Sequence, residues 1–132
     1  MCLGLSVAVA GELYDEGTVW SVTFVKTEAN MGEEYVKDLA GAWKKVMDAA
    51  VEEGLIISYK VLWGEAANPD DWNMMLMTEM KNYAAMDDVE DKWRALTEQA
   101  IGSEDLQLKM SIDREKIRDI FGSKLMREIH IK

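Results

Sequence analysis

The order of predicted secondary-structure elements constrains the fold of this chain more than any other feature. Two successive segments, 18–63 and 72–131, each have the pattern strand, helix, strand. The rules of short, unknotted connections leave few ways to arrange a βαββαβ chain. A four-stranded antiparallel sheet with its main helices on one face buries the apolar side of every element. The length of 132 residues is enough for one domain of this kind with its own core.

Four segments are predicted as strands because they are dense in β-branched and aromatic residues or alternate between apolar and polar residues. They cover residues 18–25, 55–63, 72–80 and 125–131. The connection between the second and third strands is short and contains Pro69, the only proline. A connection of this kind favours an antiparallel hairpin.

Two amphipathic helices and a short third helix are predicted from apolar residues spaced three or four positions apart. Asn30 is the expected N-cap of the first helix, which ends at Gly54. The second helix ends at Gly102, and the third is expected to begin at Asp113 and to end at Gly122.

Alternation along the strands divides their side chains between two faces of the sheet. One face is almost wholly apolar and is expected to lie beneath the helices, with Trp20, Val22 and Phe24 supplied by the first strand. The other face is mixed in polarity and contains Val19, Ser21, Thr23, Val25, Ile56, Ser58, Lys60, Leu62, Asn73, Met75, Met77, Glu79, Met126, Glu128 and His130. This mixed face is too apolar to be left in water and too polar for an ordinary core, so two copies are expected to pack through it.

The chain resembles the dimeric α+β barrel superfamily, a ferredoxin-like group that includes antibiotic-biosynthesis monooxygenase, EthD-like and NIPSNAP-like proteins. The resemblance covers about residues 19–131 and depends on the element order, two tryptophan-bearing helix stripes and the closing segment Arg127-Glu128-Ile129-His130-Ile131. It implies a homodimer whose two sheets form a shared barrel. Several members of the superfamily bind small aromatic or polyketide-like molecules, or haem, inside such a barrel.

The mixed face supplies the candidate catalytic residues His130, Glu128, Glu79 and Lys60. His130 is the only histidine and is the side chain best suited to act as a general base near neutral pH. A solvated histidine near the end of a strand is the competing interpretation. Glu79 and Glu128 form an acid and base pair only if burial shifts one of their pKa values, and otherwise each pairs with a base or faces water.

The same face supplies the expected lining of a ligand cavity, which consists of Ser21, Thr23, Ser58, Asn73, Met75 and Met77. The favoured function is binding of a small, partly apolar organic molecule between the two sheets. One alternative is a cofactor-independent oxygenase, isomerase or cyclase, and another is a non-catalytic dimerisation module. No cofactor is expected, with haem the less favoured alternative, and no metal site is expected.

Composition argues against several other classes of protein. The formal net charge is −10 and no basic stripe is present, so nucleic acid is not an expected partner. Cys2 is the only cysteine, which excludes an internal disulfide and a cysteine-based zinc site. The sequence has no phosphate-binding glycine loop, zinc-protease motif or serine-hydrolase motif.

The first ten residues differ from the rest because they are uncharged and apolar and end in Ala8-Val9-Ala10. Small residues at this spacing suit a signal peptidase, so residues 1–10 are interpreted as a signal-peptide remnant before the domain at 11–132. The expected location is then periplasmic or secreted, with the cytoplasm as the alternative. The segment is too short to cross a membrane, and no other segment has the necessary apolar length.

Overall fold

The fold was analysed in a computed structural model that describes residues 11–132. The predicted signal segment, residues 1–10, lies outside the described residues. The elements in chain order are β1 (Tyr14–Thr27), α1 (Gly32–Asp38), a π-helical turn (Leu39–Trp43), α2 (Lys44–Glu52), β2 (Ser58–Trp63), β3 (Met74–Met80), a 3₁₀ turn (Tyr83–Met86), α3 (Glu90–Ala100), α4 (Glu104–Glu115) and β4 (Arg118–Ile131).

The four strands form one antiparallel sheet in the order β2-β3-β1-β4. The first strand of each βαβ unit, β1 or β3, therefore lies at the centre of the sheet, and the second strand of each unit, β2 or β4, lies at an edge. The predicted α+β, ferredoxin-like fold is therefore confirmed, as is the antiparallel pairing of β2 with β3. Register shifts interrupt the β1–β4 ladder between Glu16 and Val19 and again between Phe24 and Val25. Shifts of this kind bend a strand and increase its local twist.

The core lies between the helices and one face of the sheet, in two clusters. Towards one end of the sheet, buried side chains of α2 and α3 meet Val19 and Met80, in a cluster completed by Val46, Met47, Ala50, Ile56 and Leu96. Towards the other end, α1 and the π-helical turn meet Val25 and Met74, in a cluster completed by Tyr35 and Leu39. Trp43 is partly buried against both clusters.

The face assignment predicted for β1 is wrong. Val19 and Val25 are fully buried beneath the helices, and the register places Ser21 and Thr23 on that same face. Trp20 and Phe24 point to the opposite side of the sheet. The larger side chains were expected in the core, but pairing with β3 decides the outcome because Val19 lies opposite Met80 and Val25 opposite Met74. Register determines the face of every residue in a paired strand.

The helix ends are partly as expected. Gly54 and Gly102 have positive φ angles of 75° and 132° just beyond α2 and α3, as predicted for residues that close helices. Asn30 does not cap α1 and instead has a φ of 64° in the turn before the helix. Asparagine is one of the few non-glycine residues that adopts this conformation readily.

The third helix lies earlier in the chain than predicted. It spans Glu104–Glu115 and is capped by Ser103, whose hydroxyl accepts a hydrogen bond from the Leu106 backbone N–H. The segment predicted as the helix from Asp113 to Gly122 instead contains the end of α4 and the first residues of β4, which begins at Arg118. No residue of α4 is fully buried.

Candidate functional site

The face of the sheet opposite the helices is named here the open face. Three rows of paired residues cross it from β2 to β4, namely Ser58–Glu79–Trp20–Met126, Lys60–Met77–Val22–Lys124 and Leu62–Met75–Phe24–Gly122. No element of residues 11–132 packs over the centre of these rows as the helices pack over the other face. The open face is thus a side of the sheet to which all four strands contribute and which no helix of residues 11–132 covers at its centre.

Apolar side chains dominate the open face. Leu62 is 53% exposed and Met126 is 49% exposed, although both belong to regular strands. Phe24 packs against Trp72, with their ring centroids 4.8 Å apart. Val22, at the centre, is only 2% exposed because larger side chains surround it in the neighbouring rows. A contiguous apolar surface of this kind usually marks a place where a protein binds another molecule.

A carboxylate with two hydroxyl partners lies at one end of the open face. The Thr18 hydroxyl donates to one carboxylate oxygen of Glu79 at 2.6 Å, and the Ser58 hydroxyl donates to the other at 2.7 Å. The Thr18 hydrogen bond, then the Ser58 hydrogen bond and the nearby charge of Lys60 hold the pKa of Glu79 below its usual value. Glu79 is therefore ionised at neutral pH and acts as a hydrogen-bond acceptor rather than as a general acid.

Two lysines of the middle row lean over aromatic rings of the rows beside it. The Lys60 ammonium lies 4.6 Å from the centroid of the Trp20 ring, and the Lys124 ammonium lies 5.5 Å from that of Phe24. Both distances are within the range of cation–π attraction. The lysines thus hold positive charge above an otherwise apolar centre.

The predicted catalytic residues are not brought together. Glu79 and Lys60 lie on neighbouring rows of β3 and β2, whereas Glu128 and His130 lie near the end of β4. Strand β1 separates β3 from β4, which places their backbones two strand spacings, or about 10 Å, apart. His130 Nε2 lies 3.9 Å from a Glu128 carboxylate oxygen, and the two side chains are 63% and 45% exposed.

The surroundings of His130 favour the solvated interpretation. Its ring lies against Gly17, where an added Cβ would come within 2.8 Å of His130 Nε2 and within 3.0 Å of the Glu128 backbone oxygen. Glycine is the residue that allows this close approach. The arrangement explains the position of the ring without a catalytic role.

Only some of the expected cavity residues lie on the open face. Ser58, Met75 and Met77 lie on the open face, as predicted. Ser21 and Thr23 lie on the helix side, which corrects their predicted placement on the mixed face.

Asn73 has a structural role at the end of the sheet. Its side-chain oxygen accepts a hydrogen bond from the Thr27 backbone N–H at 3.0 Å, and its amide donates to the Thr27 hydroxyl at 2.8 Å. These two bonds occupy one donor and one acceptor of the Asn73 side chain and join the segment before β3 to the end of β1.

Sequence reasoning missed five residues of this face: Thr18, Trp20, Val22, Phe24 and Lys124. Four were hidden by the inverted alternation assigned to β1. Lys124 was missed because the last strand was expected to begin at residue 125, one position too late to include it. Recognising that β1 continues to Thr27, opposite Arg118 of β4, would have revealed this lysine.

Other features of the described residues offer weaker candidates. A cavity of about 310 Å³ lies between α2 and α3, lined by Ala49, Glu53, Leu55, Lys92, Ala95, Leu96 and Gln99. Residues 11–132 contain no cluster of three histidine, cysteine or acidic side chains placed to hold a metal ion. Within the same residues, no helix has the length and apolar character needed to cross a bilayer.

Comparison with known proteins gives similarity in structure alone. No family model matches the sequence, and no curated protein matches it. A dimeric ferredoxin-like protein from an uncultured marine organism is 13% identical, with 89% of each chain covered and a TM-score of 0.46. A dimeric protein of unknown function with a ferredoxin-like fold, from Bacteroides fragilis NCTC 9343, is also 13% identical; the match covers 88% of this chain and 97% of that chain, with a TM-score of 0.39.

Proposed function

We propose that this protein is a homodimer whose two open faces meet and enclose a cavity that binds a small, partly apolar organic molecule. The observation that carries the proposal is the composition of the open face, where exposed Leu62 and Met126 accompany aromatic rings around the ordered Glu79 cluster. A second copy of the chain is the occupant that the fold itself offers, because a twofold axis lets one surface cover its own copy.

The apolar part of the face supplies the driving force for association. Removing apolar surface from water contributes about 25 cal/mol per Å², and full burial of a leucine or phenylalanine side chain contributes about 1.5–3 kcal/mol. Leu62, Met126 and the partly exposed rings on each protomer would all be covered in a face-to-face dimer. Their combined burial offsets part of the cost of association, which is on the order of 4–15 kcal/mol.

The polar part of the face explains why we propose a cavity rather than a fully packed interface. Glu79 is charged, and burying it against apolar side chains would be costly unless water or a polar ligand satisfied its remaining acceptor sites. A cavity lined by this cluster and by the bulky apolar side chains of the open face would have mixed polarity, as small-molecule sites do. Binding, rather than turnover, is what this arrangement supports, since His130 and Glu128 lie away from Glu79.

Two measurements test the proposal. Light scattering at micromolar concentration should give a particle of twice the 15.0 kDa protomer mass. Naphthalene-sized neutral and anionic probes should then raise the melting temperature of the purified dimer. A ligand at about 100 times its Kd adds about 2.7 kcal/mol to the stability of the state that binds it, which corresponds to a shift of several degrees.

The outcomes separate this function from the alternatives. A 15.0 kDa particle at these concentrations would contradict the dimer and the cavity together. A stable dimer whose melting temperature responds to none of the probes would indicate a filled interface, and thus the dimerisation module. Chemical conversion of a bound probe, lost in His130→Ala, would indicate an enzyme instead.

A further inference from the structure

We propose that the ligand is an aromatic acid, with its anionic group held by Lys60 and Lys124 and its ring lying against the apolar centre of the open face. The inference rests on the proposed function and names the chemical class of its ligand. It depends on the position of the two lysines on the open face, on the excess of positive charge that they bring to it and on the rings beside them.

The two lysines occupy the two ends of the middle row. Between them lie Met77 and Val22, which are the centre of the open face. Three strand spacings, about 14 Å, separate the backbones of β2 and β4, and each lysine side chain extends about 6 Å from its Cα, by the geometry of single bonds. Ammonium groups that lean inward can therefore approach one ligand from opposite sides.

Neither lysine forms an ion pair with a carboxylate, although the charge of Lys60 is close enough to Glu79 to help lower the pKa of that carboxyl. Among residues 11–132, Lys60 and Lys124 take part in none of the ion pairs, although other lysines of the chain do. Residues 1–10 contain no aspartate or glutamate that could supply one. Seven of the eleven lysines form no ion pair within residues 11–132, so what distinguishes Lys60 and Lys124 is their position on an apolar face of the sheet.

If two sheets enclose Lys60 and Lys124, their charges are removed from water and need an opposite charge nearby. The three rows carry two lysines and one carboxylate, Glu79, so each protomer brings an excess of one positive charge to the centre. Removing a charge from water is costly unless an opposite charge is close. An anionic ligand supplies that charge, whereas a cationic ligand would increase the excess.

The rings select the rest of the ligand. Trp20 and Phe24 lie in the rows on either side of the lysines and already hold the two ammonium groups at their faces. A flat aromatic body can pack beside these rings while its carboxylate draws the ammonium groups away from them. Met77 completes an apolar, adaptable floor.

The experiment compares two probes that differ in charge and have nearly the same shape, 2-naphthoate and 2-naphthamide. Calorimetric titration of the wild-type dimer should show that naphthoate binds at least about tenfold more tightly, which is what one charge-assisted contact contributes. The double variant Lys60→Met with Lys124→Met should lose this preference and bind the two probes equally. The matched control is Lys45→Met with Lys109→Met, which makes the same change in net charge at exposed helix positions and should keep the preference.

Each outcome has a distinct meaning. Equal binding of the two probes by the wild-type dimer, or an unchanged preference in the Lys60 and Lys124 variant, would overturn the assignment of an acid and leave the cavity proposal standing. Dissociation of that variant into protomers would show that the lysines pair with carboxylates of the second copy, which also overturns it. Failure of the wild-type protein to dimerise or to bind either probe would instead refute the proposed function on which this inference depends.

Discussion

Replacing Leu62 by glutamate should dissociate the homodimer without unfolding the protomer. Leu62 is 53% exposed within the protomer, so about half of its burial, or about 1 kcal/mol, remains to be gained on association. Twofold symmetry counts this contribution twice, which gives about 2 kcal/mol, or about thirtyfold in Kd. Burial of two new carboxylates adds to the loss, so thirtyfold is a lower bound.

The matched control is Leu108→Glu, at a leucine that is 62% exposed on α4, a helix outside the three rows of the open face. Both variants make the same chemical change and lower the net charge of each protomer by one. Exposed substitutions of this kind usually change the free energy of unfolding by no more than about 0.5 kcal/mol. Circular dichroism should therefore show both variants folded.

Sedimentation velocity over a concentration series gives the dimer dissociation constant for each protein. The expected result is a Kd at least about thirtyfold higher for Leu62→Glu and an unchanged Kd for Leu108→Glu. An unchanged Kd for Leu62→Glu would refute the open face as the interface. A dimer weakened more by the Leu108 substitution would move the interface to α4.

Two further predictions concern individual side chains. Asn73→Ala should lower the free energy of unfolding by about 1–3 kcal/mol, because it leaves the backbone N–H of Thr27 without its partner. Urea denaturation measures this change, and an unchanged unfolding midpoint would contradict the structural role given to Asn73. Hydrogen bonds that lower the pKa of Glu79 stabilise the folded state above the pKa of the unfolded chain, and this stability is lost as the pH falls through the folded pKa. The stability difference between wild type and Glu79→Gln should therefore shrink on acidification, and a difference that stays constant with pH would show that the ionised form of Glu79 is not stabilised by its hydrogen bonds to Thr18 and Ser58.

The element order was predictable from the sequence because it depends on strong local signals. Positive φ angles at Gly54 and Gly102 were expected from apolar patterns that end just before each glycine. The position of α4 was not predictable in the same way. Apolar and polar residues alternate along it, with apolar residues at Leu106, Leu108, Met110 and Ile112. This period of two is typical of strands, and in a helix it places the apolar side chains on opposite sides.

The open face was recognised as a surface of unusual composition, but half of it was assigned incorrectly. In β1, valines recur at every third position, 19, 22 and 25, so they fall on both faces of the strand and size alone does not choose between the faces. The choice is made by pairing with β3, between residues that are 49 to 61 positions apart in the sequence. The hydroxyl of Thr18 reaches Glu79 for the same reason, across 61 positions of sequence.

The π-helical turn at Leu39–Trp43 has a consequence for how the length of this chain can vary in evolution. A π turn contains one residue more than an α turn, so it absorbs the extra residue and the helix after it keeps nearly the same face towards the sheet. Deleting Gly41 would therefore convert the π turn into an α turn and leave Val46 and Ala50 against the strands that they cover. We expect related chains to vary in length by one residue in this segment as well as in the surface loops.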